Sequence, residues 1–148
     1  MLALLVSPNI MNSLETRSLE NEAREILMTM EQTKFRAVKS KLNHRVRFDN
    51  STGQLRYIIE REDTPGTWNE IPGVIGKTMS AKFNITVNLP TLDVVVFSPL
   101  GFVTNYDTDN NNITIQSDKL KGYNQPDQRV VRVLAGGSIQ YIKSESGT

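Results

Sequence analysis

The sequence predicts an α+β fold in which one long N-terminal α-helix packs against antiparallel β-sheets. Two observations predict it. From Ser13 to about Asn43 the apolar positions mostly recur at three- and four-residue steps, with no Gly or Pro among them, which is the period of an amphipathic helix. Beyond Phe48 the pattern becomes short runs of β-formers separated by turn clusters, with no helical period between them, the mark of strands that pair antiparallel in series.

The chain opens on MLALLVSPNIM, almost wholly apolar but interrupted by Ser7, Pro8 and Asn9. Crossing a bilayer takes about 20 such residues, so this run does not span one alone. Without a basic stretch before it or a small-residue cleavage site after it, it does not read as a secretory signal either. The expectation is that Met1 opens partway through a longer hydrophobic helix whose upstream half is missing. Residues 1–13 are then the distal part of that helix and 14–148 the globular domain.

Within the helix Leu14, Leu19, Ile26 and Met30 are read as the side chains that hold it to its own sheet. Its charges are sorted along its length. Glu15, Glu20, Glu22, Glu25 and Glu31 come first; Lys34, Arg36, Lys39, Lys41, Arg45 and Arg47 follow with no acid among them. That order complements the helix dipole, and Glu20 with Arg24 has i,i+4 spacing for an ion pair. Thirty-odd residues at about 1.5 Å each span on the order of 45 Å, more than a compact domain of this size needs, so part of the helix is expected to project.

Strands are expected near 45–48, 55–61, 83–89, 94–97, 113–116, 129–134 and 139–142. Asp49-Asn50-Ser51-Thr52-Gly53 and Gly136-Gly137 mark hairpin turns. Alternation in Leu55/Tyr57/Ile59, Ile85/Val87/Leu89 and Val131/Val133 predicts strands with one buried face. The stretch 61–82, with Pro65, Gly66, Pro72, Gly73 and Gly76, reads as a loop pinned to the core by Trp68.

Composition narrows function. The 148 residues carry 17 Lys plus Arg against 16 Asp plus Glu, a net charge of +1, so any electrostatic role is local. The chain has no Cys and one His, His44, which excludes thiolate and multi-His metal sites and argues against an enzyme. His44 lies among Lys41, Arg45 and Arg47, which disfavour its protonation, and reads as a solvated residue at the helix end. Asp107-Thr108-Asp109-Asn110-Asn111 has the opening spacing of a calcium loop, with Asp118 at the twelfth position. Asn112 stands where Gly is needed, however, and a polar turn explains the residues better. Gly136-Gly137-Ser138 lacks the closing Gly of a nucleophile elbow, and Gly73 and Gly76 lack the Lys and Ser/Thr of a phosphate loop. No metal, cofactor or small-molecule substrate is expected. The acid-free run Lys34, Arg36, Lys39, Lys41, Arg45, Arg47, interleaved with Phe35 and Phe48, is the one candidate nucleic-acid site. Lys119, Lys121, Arg129, Arg132 and Lys143 extend it if the fold gathers them; the plainer reading is a solvated, dipole-compensated helix end.

An apolar segment broken by Pro8, the helix LETRSLENEAREILMTMEQTKFRAVK with Ala23-Arg24 inside it, and a β-rich remainder occur together. Further on come Trp68, the element Val96-Phe97-Ser98-Pro99-Leu100-Gly101, and Arg129-Val130-Val131-Arg132-Val133 leading to Gly136-Gly137-Ser138-Ile139. Over nearly its whole length the chain resembles type IV pilin-like proteins, in detail the GspH/FimT-type minor pseudopilins of type II secretion and minor pilins. The resemblance implies a non-enzymatic subunit of a pseudopilus or pilus. Such a subunit is anchored in the bacterial inner membrane by its upstream helix, with its globular domain in the periplasm or on an extracellular filament, and its partners are other pilins or pseudopilins. Leu2, Leu4, Leu5, Val6, Ile10 and Met11 would then face the assembly, and Pro8 would supply a kink that helix packing tolerates. The alternatives are a DNA-binding minor pilin acting in uptake and an unrelated α+β adaptor.

Overall fold

The computed structural model describes residues 8–147, and Leu2, Leu4, Leu5 and Val6 lie outside them. Helix α1 runs from Pro8 to Ser40. Pro8 is its first described residue. Lys41 ends the helix three residues before the expected boundary. It turns to a φ of +62° while its amide still donates to the Ala37 carbonyl (3.0 Å), a left-handed cap.

Nine strands follow: β1 (His44–Asp49), β2 (Arg56–Thr64), β3 (Thr67–Glu70), β4 (Lys77–Thr78), β5 (Asn84–Asn88), β6 (Val94–Phe97), β7 (Asn112–Gln116), β8 (Gln128–Val133) and β9 (Ile139–Ser144). A short helix, α2 (Asp118–Gly122), links β7 to β8. Two antiparallel sheets result, one ordered β3-β2-β1-β6 with β4 also on β2, the other β5-β7-β8-β9. Helix α1 lies across both, against β1 and β6 of the first and β7, β8 and β9 of the second. Its buried stripe of Leu19, Ala23, Ile26, Met30, Thr33 and Ala37 repeats every three or four residues. It meets Val46, Phe48, Val95 and Phe97 on one side and Ile113, Ile115, Val131 and Val133 on the other in a single core.

The two expected hairpins form. Gly53 (φ +80°) closes the β1–β2 turn, where the Ser51 amide donates to Asp49 Oδ1 at 2.8 Å. At the β8–β9 turn a Cβ on Gly137 (φ +90°) would overlap the Gly101 carbonyl oxygen. The Phe97-Ser98-Pro99-Leu100-Gly101 element and the Gly-Gly hairpin therefore pack directly on one another, under Lys34, whose Nζ donates to the Gly137 carbonyl (3.0 Å).

Two expectations are corrected. The stretch 61–82 is not all loop, because β2 continues to Thr64 and turns through Pro65-Gly66 into β3. Trp68 does not reach the core; its ring lies 4.4 Å beneath the Arg45 guanidinium on the outer face of the sheet. That face of β2 is covered too: Ile58 is 3% exposed, beneath residues 71–76. This is why β2 buries both faces where the alternation predicted one.

Candidate functional site

The inward face of α1 holds the domain with charge as well as apolar surface. Glu15 is 6% exposed and accepts from Ser117 Oγ (2.7 Å) and Lys82 Nζ (2.5 Å). Burial, the largest single influence, acts to raise its pKa, but these two hydrogen bonds together with the charges of Lys82 and Lys119 hold the carboxyl below its usual value. Ser117 is also the N-cap of α2, accepting from the Leu120 amide. Glu20 accepts from the fully buried Arg129 at 3.3 Å, and Arg24 lies over the Tyr141 ring. The i,i+4 pair expected within the helix thus gives way to two contacts with the sheet. Glu22 accepts from the Ser80 amide (3.0 Å), Glu25 pairs with Lys77, and Glu31 pairs with Lys34 (3.0 Å).

The outward face is a second apolar stripe. Ile10, Met11, Leu14, Met28, Phe35 and Val38 are all exposed, Leu14 at 61% and Phe35 at 65%. Leu19, Ile26 and Met30 hold the helix to its sheet as expected; Leu14 does not. At 3.6 residues per turn, Ile10, Leu14, Met28 and Phe35 fall about half a turn from the buried stripe. The signal lay in the sequence as a second set of apolar residues out of phase with the first, and a single-stripe reading merged the two. Exposed apolar side chains in a row mark a surface that meets something. Of the two residues expected to face an assembly, Ile10 lies on this row, and Met11 is exposed beside it, nearer the edge of the buried stripe.

The basic run is divided by the fold. Arg45 Nε donates to Glu60 (2.5 Å) and Arg47 bonds the same carboxylate (3.2 Å), while Phe48 is buried and closed to base stacking. Lys34 is committed to Glu31 and Gly137. Arg36, Lys39 and Lys41 stand exposed beside Phe35. Lys119 and Lys121 sit on α2, beside Glu15 and so about 30 Å along α1 from Arg36; Arg129 is buried, and neither group extends the patch.

His44 is not solvated. At 3% exposure it begins β1, with Nδ1–H donating to the Leu42 carbonyl (3.0 Å). Burial first, with Arg61 and Arg36 nearby, depresses its pKa below 6.5. Asp107 forms a turn: Oδ1 accepts from the Asp109 amide (2.8 Å) and Oδ2 from Asn110 Nδ2 (3.2 Å), and these bonds lower its pKa. Asp118 lies apart, accepting from Asn84. No cluster of metal-ligating side chains and no helix long and apolar enough to cross a membrane occurs among the described residues.

No protein-family model and no curated protein matches the chain. Its structure is similar to that of the minor pseudopilin EpsH from the type 2 secretion system of Vibrio cholerae. The TM-score is 0.61 over 85% of this chain and 97% of that one, at 14% sequence identity. With α1 laid over two antiparallel sheets and its outer stripe left open, the chain has the pilin-like α+β fold of a minor pseudopilin.

Proposed function

We propose that this protein is a minor pseudopilin or minor pilin, a structural subunit that enters an envelope filament through the outward face of α1. The observation that carries the reading is the row Ile10, Leu14, Met28 and Phe35, exposed on the side of the helix opposite the one that holds the domain. Such a row gains little for the monomer and much for a bundle of helices. The fold likeness to a type 2 secretion pseudopilin supports the same reading. Leu2, Leu4, Leu5 and Val6, which precede that row in sequence, are assigned the same assembly role.

The test is the double substitution Met28→Asp/Phe35→Asp. Both side chains are exposed, so thermal stability should stay within about 0.5 kcal/mol of wild type. Incorporation into filaments sheared from cells co-expressing the other subunits should fall at least about tenfold. Normal incorporation would refute the reading.

A DNA-binding minor pilin remains a second reading because Arg36, Lys39 and Lys41 are exposed at the same end of the helix as the exposed Phe35. It requires retention on DNA that falls steeply with salt.

A further inference from the structure

Helix α1 keeps its acids occupied and leaves its cations open. Its five acidic side chains are each engaged: Glu15, Glu20, Glu22 and Glu25 by the domain and Glu31 by Lys34. Arg17, Arg24, Arg36 and Lys39 are exposed, and none of them belongs to an ion pair among the described residues. At about 100° per residue, Arg17, Arg24 and Lys39 fall within about 40° of the line through Ile10 and Met28, and Arg36 lies at the edge of the same face. The outward side is thus apolar and basic together, and its one acid, Glu31, is already paired.

A basic amphipathic face is the pattern of a helix lying in the interface of an anionic bilayer. Leu14, Met28 and Phe35 would enter the acyl boundary while the long arginine and lysine stems carry their charges back to the headgroup phosphates. The run MLALLV immediately before α1 has only apolar side chains, and lipid takes it up together with the face. Duplex DNA would take the guanidiniums and leave both the run and Leu14, Met28 and Phe35 in water. An antiparallel second copy would set Arg17 against Glu31 twice, yet it opposes Arg24 to Arg24 and leaves Arg36 and Lys39 of both copies unanswered. No helix among the described residues is long and apolar enough to cross a membrane, so α1 would lie on the bilayer and not through it.

Resting on the assembly reading above, we infer that the subunit outside a filament lies on an anionic lipid bilayer through the outward face of α1. The two β-sheets, packed on the opposite side of the helix, then face away from the lipid. The bilayer covers the row that neighbouring subunits cover in the filament, so lipid and neighbours compete for one face. Anionic lipid holds the subunit back from assembly, and assembly lifts it off the surface.

Flotation of the whole chain tests the inference, with vesicles of phosphatidylcholine alone or of an equimolar phosphatidylcholine–phosphatidylglycerol mixture. Retention should be at least about tenfold greater on the mixed vesicles and should fall as salt is added. Arg17→Glu/Arg24→Glu and Arg36→Glu/Lys39→Glu should each lower it at least about tenfold, whereas Arg17→Lys/Arg24→Lys should keep it. All four cations are exposed and outside any ion pair among the described residues, so each variant should melt with the wild type. Equal retention on the two vesicles, no retention, or retention that survives both reversals overturns the inference. So does a wild-type dimer that forms at lower concentration than vesicle binding and is lost in Arg17→Glu/Arg24→Glu, or retention on duplex DNA that is tighter than on the mixed vesicles. If the wild-type chain does not float while Met28→Asp/Phe35→Asp is still excluded from filaments, the lipid contact is refuted and the assembly reading stands. If the chain floats as expected and Met28→Asp/Phe35→Asp enters filaments normally, the lipid contact stands and the assembly reading falls.

Discussion

Gly137 shows how one residue ties together distant parts of the chain. A side chain there meets both a positive φ and the Gly101 carbonyl, so Gly137→Ala should destabilise the fold by about 2 kcal/mol or more. The change should appear as a lowered urea midpoint, and an unchanged midpoint would deny the close packing of the two turns. His44 makes a prediction in pH. Its pKa is depressed in the fold, so the unfolded chain binds its proton first as the solution is acidified. Stability should therefore fall as pH drops below about 6.5, and the loss should level off below the folded-state pKa. His44→Gln should flatten this part of the profile. Glu15 and Asp127, both held below their usual values, add a separate loss at lower pH, when the carboxylates protonate. Melting curves of wild type and His44→Gln between pH 8 and 5.5 decide the point; parallel curves would show that His44 does not titrate as its burial implies. The sequence read the direction of this pKa correctly and the residue's surroundings incorrectly. Flanking charges are visible in a linear chain, whereas the strand pairing that buries His44 is not.

The same distinction runs through the elements. Helix α1 and seven of the strands were legible because each has a period long enough to show: Val94–Phe97 was read to the residue, and β1 and β8 to within one residue at each end. The elements not foreseen were short. Strand β3 sits behind a Pro65-Gly66 turn that was absorbed into a Gly- and Pro-rich stretch, although Pro followed by Gly at positive φ is itself a hairpin signal. Helix α2 has five residues, fewer than two turns, and its one cue was the Ser117 N-cap. Within the exposed row, Leu14 had been assigned to the core and Met28 had not been distinguished, whereas Ile10 had been named for assembly, a role that stays a proposal. Two alanine substitutions compare the faces. Ile26→Ala empties a fully packed position and should cost about 2–5 kcal/mol. Met28→Ala, two residues away on the open face, should cost less than about 0.5 kcal/mol. Equal costs in denaturant titrations would mean that α1 does not have two distinct faces.

Across the whole molecule, a net charge of +1 conceals a separation in space. The acids of α1 are spent on Lys82, Arg129, Ser80, Lys77 and Lys34, and Glu60 absorbs Arg45 and Arg47 on the outer sheet. The helix is thereby bound to its own domain along one edge and leaves Ile10, Leu14, Met28 and Phe35 open along the other, as the proposed assembly role requires. Because the chain contains no cysteine, a single thiol can be placed at will. The most direct measurement is thiol-specific cross-linking within intact filaments, comparing Met28→Cys on the outward face of α1 with Thr108→Cys on the β6–β7 loop. Cross-linking of Met28→Cys to a neighbouring helix, with Thr108→Cys unreactive toward other subunits, is the predicted result. Cross-links through Thr108→Cys and none through Met28→Cys would contradict the claim that this face of the helix is the assembly surface.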